Sequence, residues 1–309
     1  MVSFSANEVN NIPMKIAIGL MREAFQLLSE GKVIVPLRTK VETEDKSGIA
    51  IFMPSYAPSW NLFGIKLVSV FANNPPPLPS IHGQMLVMDA RDGRMLAQLD
   101  APAVTALRTG AASGLATELL AGHDASTLAI FGTGAQAWTQ VAGVCAVRNI
   151  RKIFVKGTST ANEAAFCKRV HEKYDVAAES LTGLRDADII CTATTSETPL
   201  FDPENVSPRV HINAIGSYKP TMREIPDGII ASCKLVVDQR RAVMQEAGEV
   251  AIPIKNGGLN ESIIYAELGE IVTGKSGRKS ESEITVFKSV GNAIQDLAVA
   301  RYLLETHSP

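Results

Sequence analysis

The chain has 309 residues, of which 46% are hydrophobic and 20% are charged, and its formal net charge at pH 7 is −2. This composition is typical of a folded globular protein, and the length favours two domains over one. The small net charge argues against general binding to nucleic acid or to an anionic membrane, and no apolar run in the sequence reaches the length of a membrane-spanning helix.

The four cysteines lie far apart and form no CxxC pair. Three of them lie in apolar or amphipathic runs, which is typical of reduced thiols in a protein core. The first residues lack the basic segment and apolar segment of a secretory signal. We therefore expect a cytoplasmic protein, and we predict no metal site.

The first part of the chain predicts a helix followed by several strands. Apolar residues recur at helical spacing over residues 14–29, and Gly31 is placed to end the helix. Strand-like segments joined by short turns follow at 33–41, 49–53, 63–69, 84–89 and 94–99. Consecutive strands of this kind predict an antiparallel or mixed sheet in a separate α+β unit.

Three basic residues of this unit have apolar neighbours. Arg38 occurs in PLRTKV, Lys66 in FGIKLVSV and Arg108 in TALRTGAAS. Burying an unpaired charge is costly, so such a side chain either extends to solvent or is held in place for chemistry. The sequence by itself leaves both possibilities open.

A different pattern begins after a predicted helix at residues 105–121. A short apolar strand at 127–131 meets a GxGxxA turn that contains Gly132 and Gly134, and a helix and a second strand at 150–155 follow. This is the mononucleotide-binding unit, in which the glycines allow a tight turn and a close approach of backbone to a pyrophosphate. The helix N-terminus offers free N–H groups to the phosphates, so we predict a dinucleotide cofactor.

The end of the second strand normally selects the cofactor. An acidic residue there would bind the ribose 2′-hydroxyl of NAD, but the sequence continues as Lys156-Gly157-Thr158-Ser159. A lysine followed by two hydroxyl groups suits a 2′-phosphate, so NADP(H) is favoured and NAD(H) is possible. The alternative is a solvated lysine in an ordinary loop.

The alternation of helices and strands continues to the end of the chain. A helix is predicted at 162–173, strands at 187–192, 211–215 and 235–238, and a strand that leads into an amphipathic helix within 284–304. Short apolar strands of this kind predict a parallel sheet covered on both faces. Ligands bind at the C-terminal ends of such strands, which points to Thr194, Ala214 and Gly216 as cofactor contacts.

Five motifs, taken in order, resemble the ornithine cyclodeaminase/mu-crystallin family: TALRTGAASGLAT, IFGTGAQA, INAIGSYKPTMREI, YAELGEIVTGK and VFKSVGNAIQDLAVARYL. The resemblance implies an α/β fold in which a Rossmann-type, doubly wound parallel sheet domain, residues 119–291, is inserted in an α+β substrate and dimerisation domain, residues 1–118 and 292–309. It also implies a homodimer that exchanges a hydride between a nicotinamide and a carbon next to a carboxylate.

The resemblance also assigns roles to individual residues. Arg38 matches the arginine that binds the substrate carboxylate, Lys66 matches the pocket lysine that contacts this carboxylate and transfers protons, and Arg108 matches a residue near substrate and cofactor phosphates. Further matches are cofactor contacts at Ser80, Ala135, Gln136, Thr158 and Ser289, and a substrate-side wall at Val290.

Two positions depart from the ornithine cyclodeaminases of the family. Phe52 stands before Met53-Pro54 where they carry a glutamate, and Tyr218 stands where they carry the aspartate that serves as a base. Without these acids the distal ammonium of a diamine would be unpaired. Tyr218 either lines the substrate pocket or points away from it.

The GSYKPTMREI motif is closer to family members that reduce preformed cyclic ketimines. We therefore expect an NAD(P)H-dependent reductase that converts Δ1-pyrroline-2-carboxylate or Δ1-piperideine-2-carboxylate to L-proline or L-pipecolate, with Lys66 as the catalytic residue. Three alternatives remain: a deaminating enzyme of the ornithine cyclodeaminase or alanine dehydrogenase type, a mu-crystallin-like protein that binds NADPH and a small ligand, and an enzyme that condenses a 2-oxo acid with an amine.

Overall fold

The computed structural model describes residues 1–307. The chain divides into two compact units, one formed by residues 1–108 with the described residues from Gly291 onward and one formed by residues 109–290. The domain boundary that the sequence places at residue 118 falls within a single long helix, Ala101–Leu120. Residues 308 and 309, which the sequence assigns to the first domain, lie outside the described range.

The first unit contains a mixed sheet. Its strands, as far as the structure describes them, are β1 (Val2–Phe4), β2 (Thr39–Glu42), β3 (Ile49–Ala57), β4 (Leu62–Val70), β5 (Ile81–Asp89) and β6 (Met95–Asp100). Their order is β1-β6-β5-β4-β3-β2, with β1 parallel to β6 and the other pairs antiparallel. Buried residues alternate along β3 because one face of the sheet is covered.

The helices of this unit are α1 (Ala6–Asn10), α2 (Met14–Ser29), the first part of α3 (Ala101–Leu120) and the C-terminal helix (Ala293–Thr306), which lies on the sheet. The C-terminal helix packs against α2, β3 and β4, so it completes the core of a unit whose other residues precede it by nearly 200 positions.

Two predicted boundaries in this unit were wrong. The strand expected at 33–41 is limited to Thr39–Glu42, preceded by a single bridge between Ile34 and Tyr56. Pro36 has no N–H to donate to a neighbouring strand, which explains the interruption. Helix α3 starts at Ala101 rather than at residue 105, because proline is tolerated in the first turn of a helix and Pro102 lies there.

The second unit contains a parallel sheet in the order β13-β12-β14-β11-β10-β7-β8-β9. Its strands are β7 (Thr127–Phe131), β8 (Lys152–Lys156), β9 (Ala177–Ser180), β10 (Ile189–Thr192), β11 (His211–Ala214), β12 (Lys234–Val237), β13 (Ile264–Glu267) and β14 (Thr285–Lys288). The connecting helices are α4 (Ala135–Val147), α5 (Thr160–Tyr174), α6 (Asp227–Ser232), α7 (Arg240–Glu246), α8 (Gly248–Lys255) and α9 (Leu268–Val272). The predicted Rossmann-type fold is confirmed.

The strand order reverses next to β7. From β7 the chain first adds β8 and β9 on one side, and then returns to place β10 and β11 on the other. In doubly wound sheets, the crevice at the carboxyl ends of the strands at this switch point is where ligands bind. A ligand site is therefore expected at the loops after β7 and β10.

Across residues 1–307, no helix combines the length and the apolar character needed to cross a membrane.

Candidate functional site

The turn after β7 requires glycine at position 132. Gly132 has φ +109°, and its N–H donates to the Lys156 carbonyl at 2.8 Å. A Cβ at this position would lie 2.6 Å from the Ala193 carbonyl oxygen, which follows β10. The backbone therefore passes between the loops of the two strands that flank the switch point, and only glycine allows this approach.

The next glycine faces open space. Gly134 is the N-cap residue of α4, and a Cβ placed on it would meet no atom within 4 Å. The first N–H groups of a helix have no partner inside the helix, so the N–H groups of Ala135 and Gln136 are available to bind an anion. These residues fit the pyrophosphate of a dinucleotide.

A cavity of about 1040 Å³ adjoins this turn. Four predicted cofactor residues lie in its wall: Gly132, Lys156, Thr158 and Thr194. Three others lie elsewhere at the carboxyl ends of the strands: Ala214 ends β11, Gly216 follows it, and Ser289 follows β14. Their contact with a cofactor remains a prediction.

The structure adds an acidic residue to the end of β8 that the sequence reasoning missed. Glu163, in the first turn of α5, accepts a hydrogen bond from the Gly157 N–H at 3.0 Å and lies 3.7 Å from the Lys156 ammonium. Hydrogen bonds from Ser180 and from Gly157 lower the pKa of Glu163. The signal was an acidic residue at the start of the helix that follows this strand.

A second cluster of charged residues lies in the first unit, around Lys66 of β4. Only 2% of the Lys66 side chain is exposed, and its ammonium lies 2.9 Å and 2.8 Å from the two carboxylate oxygens of Asp296. It also donates to the Thr105 hydroxyl at 3.1 Å. Lys66 is therefore held at a fixed place inside the unit rather than extending to solvent.

Both predicted arginines belong to the same cluster. The Nε of Arg108 lies 3.2 Å from Asp296, and its Nη1 donates to the Gln295 side chain at 2.9 Å. Arg38 is half-buried and donates to the Gly291 carbonyl. A Cβ on Gly291 would lie 2.4 Å from Nη1 of Arg108, so Gly291 contacts both guanidinium groups.

The cluster combines three cations with one carboxylate. Burial lowers the pKa of Lys66 to about 8, an effect that Asp296 opposes and that Arg108 and Arg38 reinforce. Such a site suits an anionic ligand, and a lysine that titrates near neutral pH can exchange a proton with it.

The sequence reasoning missed Asp296 and Gln295, although a signal was present. Asp296 follows Ala293 by three positions and precedes Ala300 by four, so it lies on the same face of the C-terminal helix as these apolar residues. A carboxylate on a buried helix face needs a cationic partner, and Lys66 and Arg108 supply it.

Three predicted contacts lie outside this cluster. Ser80 is exposed just before β5, and its carbonyl accepts from the Phe71 N–H at 2.8 Å. Tyr218 follows β11, with the Lys219 ammonium 5.8 Å from the centre of its ring. Val290 donates its N–H to Asp238 at 3.0 Å. Their roles toward substrate or cofactor remain predictions. Among the described residues, no group of three or more histidine, cysteine or acidic side chains is arranged to hold a metal ion.

Comparison with known proteins finds relatives that are similar over nearly the whole chain. The model of the ornithine cyclodeaminase/mu-crystallin family matches residues 1–308. A Delta(1)-pyrroline-2-carboxylate reductase from Bacillus cereus is 39% identical over 99% of this chain and 96% of its own. The Thermococcus litoralis Delta(1)-pyrroline-2-carboxylate reductase, solved in complex with NADH and L-proline, has a TM-score of 0.94 and 37% identity, covering 99% of this chain and 97% of its own. An archaeal alanine dehydrogenase dimer with bound NAD has a TM-score of 0.93 and 31% identity, covering 99% and 95%.

Proposed function

Because the chain belongs to the ornithine cyclodeaminase/mu-crystallin family, we propose that it is a nicotinamide-dependent reductase of cyclic imino acids. Its substrates are Δ1-pyrroline-2-carboxylate and Δ1-piperideine-2-carboxylate, and its products are L-proline and L-pipecolate. The observation that carries the proposal is the cluster of three cations, Arg38, Lys66 and Arg108, with only the Asp296 carboxylate to oppose them, which suits a small anion. The two reductases described above, similar over nearly the whole chain, support the same activity.

The cationic cluster binds the substrate carboxylate. Arg38 presents a planar fork that matches a carboxylate, and the Lys66 ammonium adds a point charge. Asp296 offsets only part of the positive charge, so the substrate completes the neutralisation of the cluster. A substrate without a carboxylate would leave this charge uncompensated.

Lys66 also donates the proton that the reduction requires. The nicotinamide cofactor supplies, when bound, the hydride that reduces the C=N bond. The ring nitrogen must be protonated in the product, and a lysine whose pKa is lowered to about 8 releases a proton far more readily than an exposed lysine. Asp296 and Thr105 fix the position of the ammonium.

The cofactor site is formed by the Gly132–Gln136 turn and by the cavity that adjoins it. We propose that NADPH is preferred over NADH. Lys156 is exposed, so its ammonium can turn from Glu163, 3.7 Å away, to a 2′-phosphate, and the Thr158 hydroxyl adds a donor. The variant Lys156→Ala should raise the KM for NADPH and leave the KM for NADH unchanged. Lys152→Ala, which removes a half-exposed lysine from the other end of β8, is the matched control.

We propose that the protein is a homodimer, since the related alanine dehydrogenase is a dimer. Size-exclusion chromatography with light scattering tests this, and a monomer at micromolar concentration would contradict it. We further propose a cytoplasmic location, because the four cysteines are free thiols. Fractionation of the source cells, with detection by antibody, tests the location.

The activity is tested by following the oxidation of NADPH and of NADH, measured separately, in the presence of each cyclic imine. Purified protein should consume reduced cofactor and form the corresponding L-amino acid, whereas Lys66→Met, which preserves the length of the side chain, should lose most of the activity. If neither imine is reduced with either cofactor, the proposal is wrong. Release of ammonia from ornithine or alanine with NAD would then indicate a deaminating enzyme.

A further inference from the structure

Glu224 has an unusual position for a carboxylate. It lies in the segment between β11 and α6, and its side chain is completely buried. Its two oxygens accept four hydrogen bonds, from the Thr192 hydroxyl at 2.8 Å, the Thr194 N–H at 2.7 Å, the Thr194 hydroxyl at 2.8 Å and the Gly216 N–H at 2.8 Å. One side chain thus accepts from residues at the carboxyl ends of both strands.

The four donors lie at the carboxyl ends of two neighbouring strands and in the loops that follow them. Thr192 ends β10 and Thr194 follows it, whereas Gly216 follows β11. A Cβ on Gly216 would lie 2.3 Å from the Thr194 carbonyl oxygen and 2.4 Å from the Glu224 carboxylate. The two loops therefore meet at Glu224 with no room for a larger residue.

Both oxygens of this carboxyl group are needed as acceptors, because the Thr194 N–H bonds to one and the Gly216 N–H to the other. Backbone N–H groups only donate, so those of Thr194 and Gly216 need acceptors. Burial raises the pKa of Glu224, and the Lys288 ammonium opposes this effect. Lys288 is also fully buried, donates to the Ser217 carbonyl at 2.7 Å and lies 3.0 Å from Glu249. The loop after β11 is thus fixed by buried charges on two sides.

The location of these loops within the fold suggests their purpose. In a dinucleotide-binding sheet, the 2′-position of the adenosine ribose is recognised at the end of the strand after the glycine turn, here β8. The other half of the dinucleotide then lies across the switch point, over the ends of β10 and β11. Glu224 accepts hydrogen bonds from Thr192 and Gly216 at those ends.

We propose that Glu224 is a positioning residue, which sets the loops after β10 and β11 in the arrangement that receives the nicotinamide half of the cofactor. The inference rests on the proposed function, because it requires a nicotinamide cofactor. Glu224 acts through the two loops rather than by contacting the cofactor itself. Its role thus differs from that of the glycine turn, which binds the phosphates.

Calorimetric titration with two probes tests the role. ADP occupies only the half of the site next to β7 and β8, whereas NADH occupies both halves. In Glu224→Gln the Kd for NADH should rise by about tenfold or more, because an amide replaces one acceptor oxygen with a donor, while the Kd for ADP stays within about twofold. Asp188→Asn is the matched control: Asp188 accepts the Ser126 and Thr127 N–H groups at the opposite ends of the strands, so neither Kd should change.

A second variant keeps the test decisive if Glu224→Gln does not fold. Thr192→Val preserves shape and removes one of the four donors, so it should weaken NADH binding less, but again without effect on ADP. Equal losses for both probes, or normal NADH binding in these variants, would overturn the positioning role alone. A wild-type protein that binds ADP but neither NADH nor NADPH would instead overturn the proposed function.

Discussion

The Lys66 ammonium lies 2.8 Å from the Asp296 carboxylate, inside a unit that leaves 2% of the first side chain and none of the second exposed. Arg108 shares the same carboxylate at 3.2 Å. One anion therefore serves two buried cations, and the pair by itself does not neutralise the site. Burial lowers the pKa of Lys66, and the excess positive charge reinforces this shift and leaves a positive field for an anionic substrate.

The activity should depend on pH through Lys66. Its pKa is about 8, so the protonated fraction decreases as the pH rises through that value. If the protonated form binds the carboxylate and donates the proton, kcat/KM for imine reduction should fall about tenfold per pH unit above the pKa. Steady-state rates between about pH 6 and pH 10 measure this. Lys66→Arg, which stays protonated, controls for titration of the substrate; a falling limb unchanged in this variant would contradict the assignment.

Removal of the Asp296 charge should move that limb. Asp296 raises the pKa of Lys66, so in Asp296→Asn this pKa should fall further and the loss of activity should begin at lower pH, by about one unit or more. Thr105→Val is the matched control, because it removes a hydrogen-bond partner of Lys66 but no charge. Asp296→Asn should also lower the free energy of unfolding, by about 3 kcal/mol, since the buried Lys66 ammonium loses its charged partner. An unchanged pH profile in a folded Asp296→Asn protein would show that Asp296 does not tune Lys66.

Gly291 should control the position of Arg108. In Gly291→Ala the new methyl group would lie 2.4 Å from Nη1 of Arg108, so the guanidinium must move away from Gln295. Gly93→Ala is the control, because Gly93 has φ +78° against +79° for Gly291 and a Cβ there meets no atom within 4 Å. Both variants should lose about 1–2 kcal/mol of stability from backbone strain.

Only Gly291→Ala should also lower kcat/KM, by about tenfold or more, because an arginine that binds or orients substrate is displaced. Denaturant unfolding and steady-state rates measure the two effects. If both variants kept wild-type kcat/KM, the location of Arg108 would have no importance for turnover.

Local sequence signals accounted for much of the fold. The unit from β7 to β8 was predicted because an apolar strand, a glycine turn and an amphipathic helix each carry a local pattern. Strands β9 and β13 were not predicted, because each lies at an edge of the sheet, where no continuous apolar run is needed. The strand predicted at 33–41 begins later than expected, because Pro36 has no N–H to pair with a neighbouring strand.

The candidate site was likewise predicted only in part from the sequence. Lys66 and Arg108 attracted attention because a cation among apolar residues is unusual in sequence. Asp296 and Glu224 did not, because their importance comes from partners that lie about 230 and 30 positions away. Glu163 was missed for a related reason: the strand end was searched for an acid, whereas the acid comes from the following helix. Long-range pairing of acids with their partners is what the sequence patterns do not contain.

The backbone at Gly132 should be essential for cofactor binding. In Gly132→Ala the methyl group would lie 2.6 Å from the Ala193 carbonyl oxygen, a backbone atom that cannot move without shifting the loop after β10. Gly274→Ala is the control, since Gly274 has φ +110° against +109° for Gly132 and a Cβ there meets no atom within 4 Å. Strain should destabilise both variants by about 1–2 kcal/mol, whereas the clash should add to this only at Gly132 and raise its Kd for NADH about tenfold or more. Thermal unfolding and calorimetric titration separate the two effects, and equal NADH binding by both variants would mean that the approach of these two loops is not needed for the cofactor.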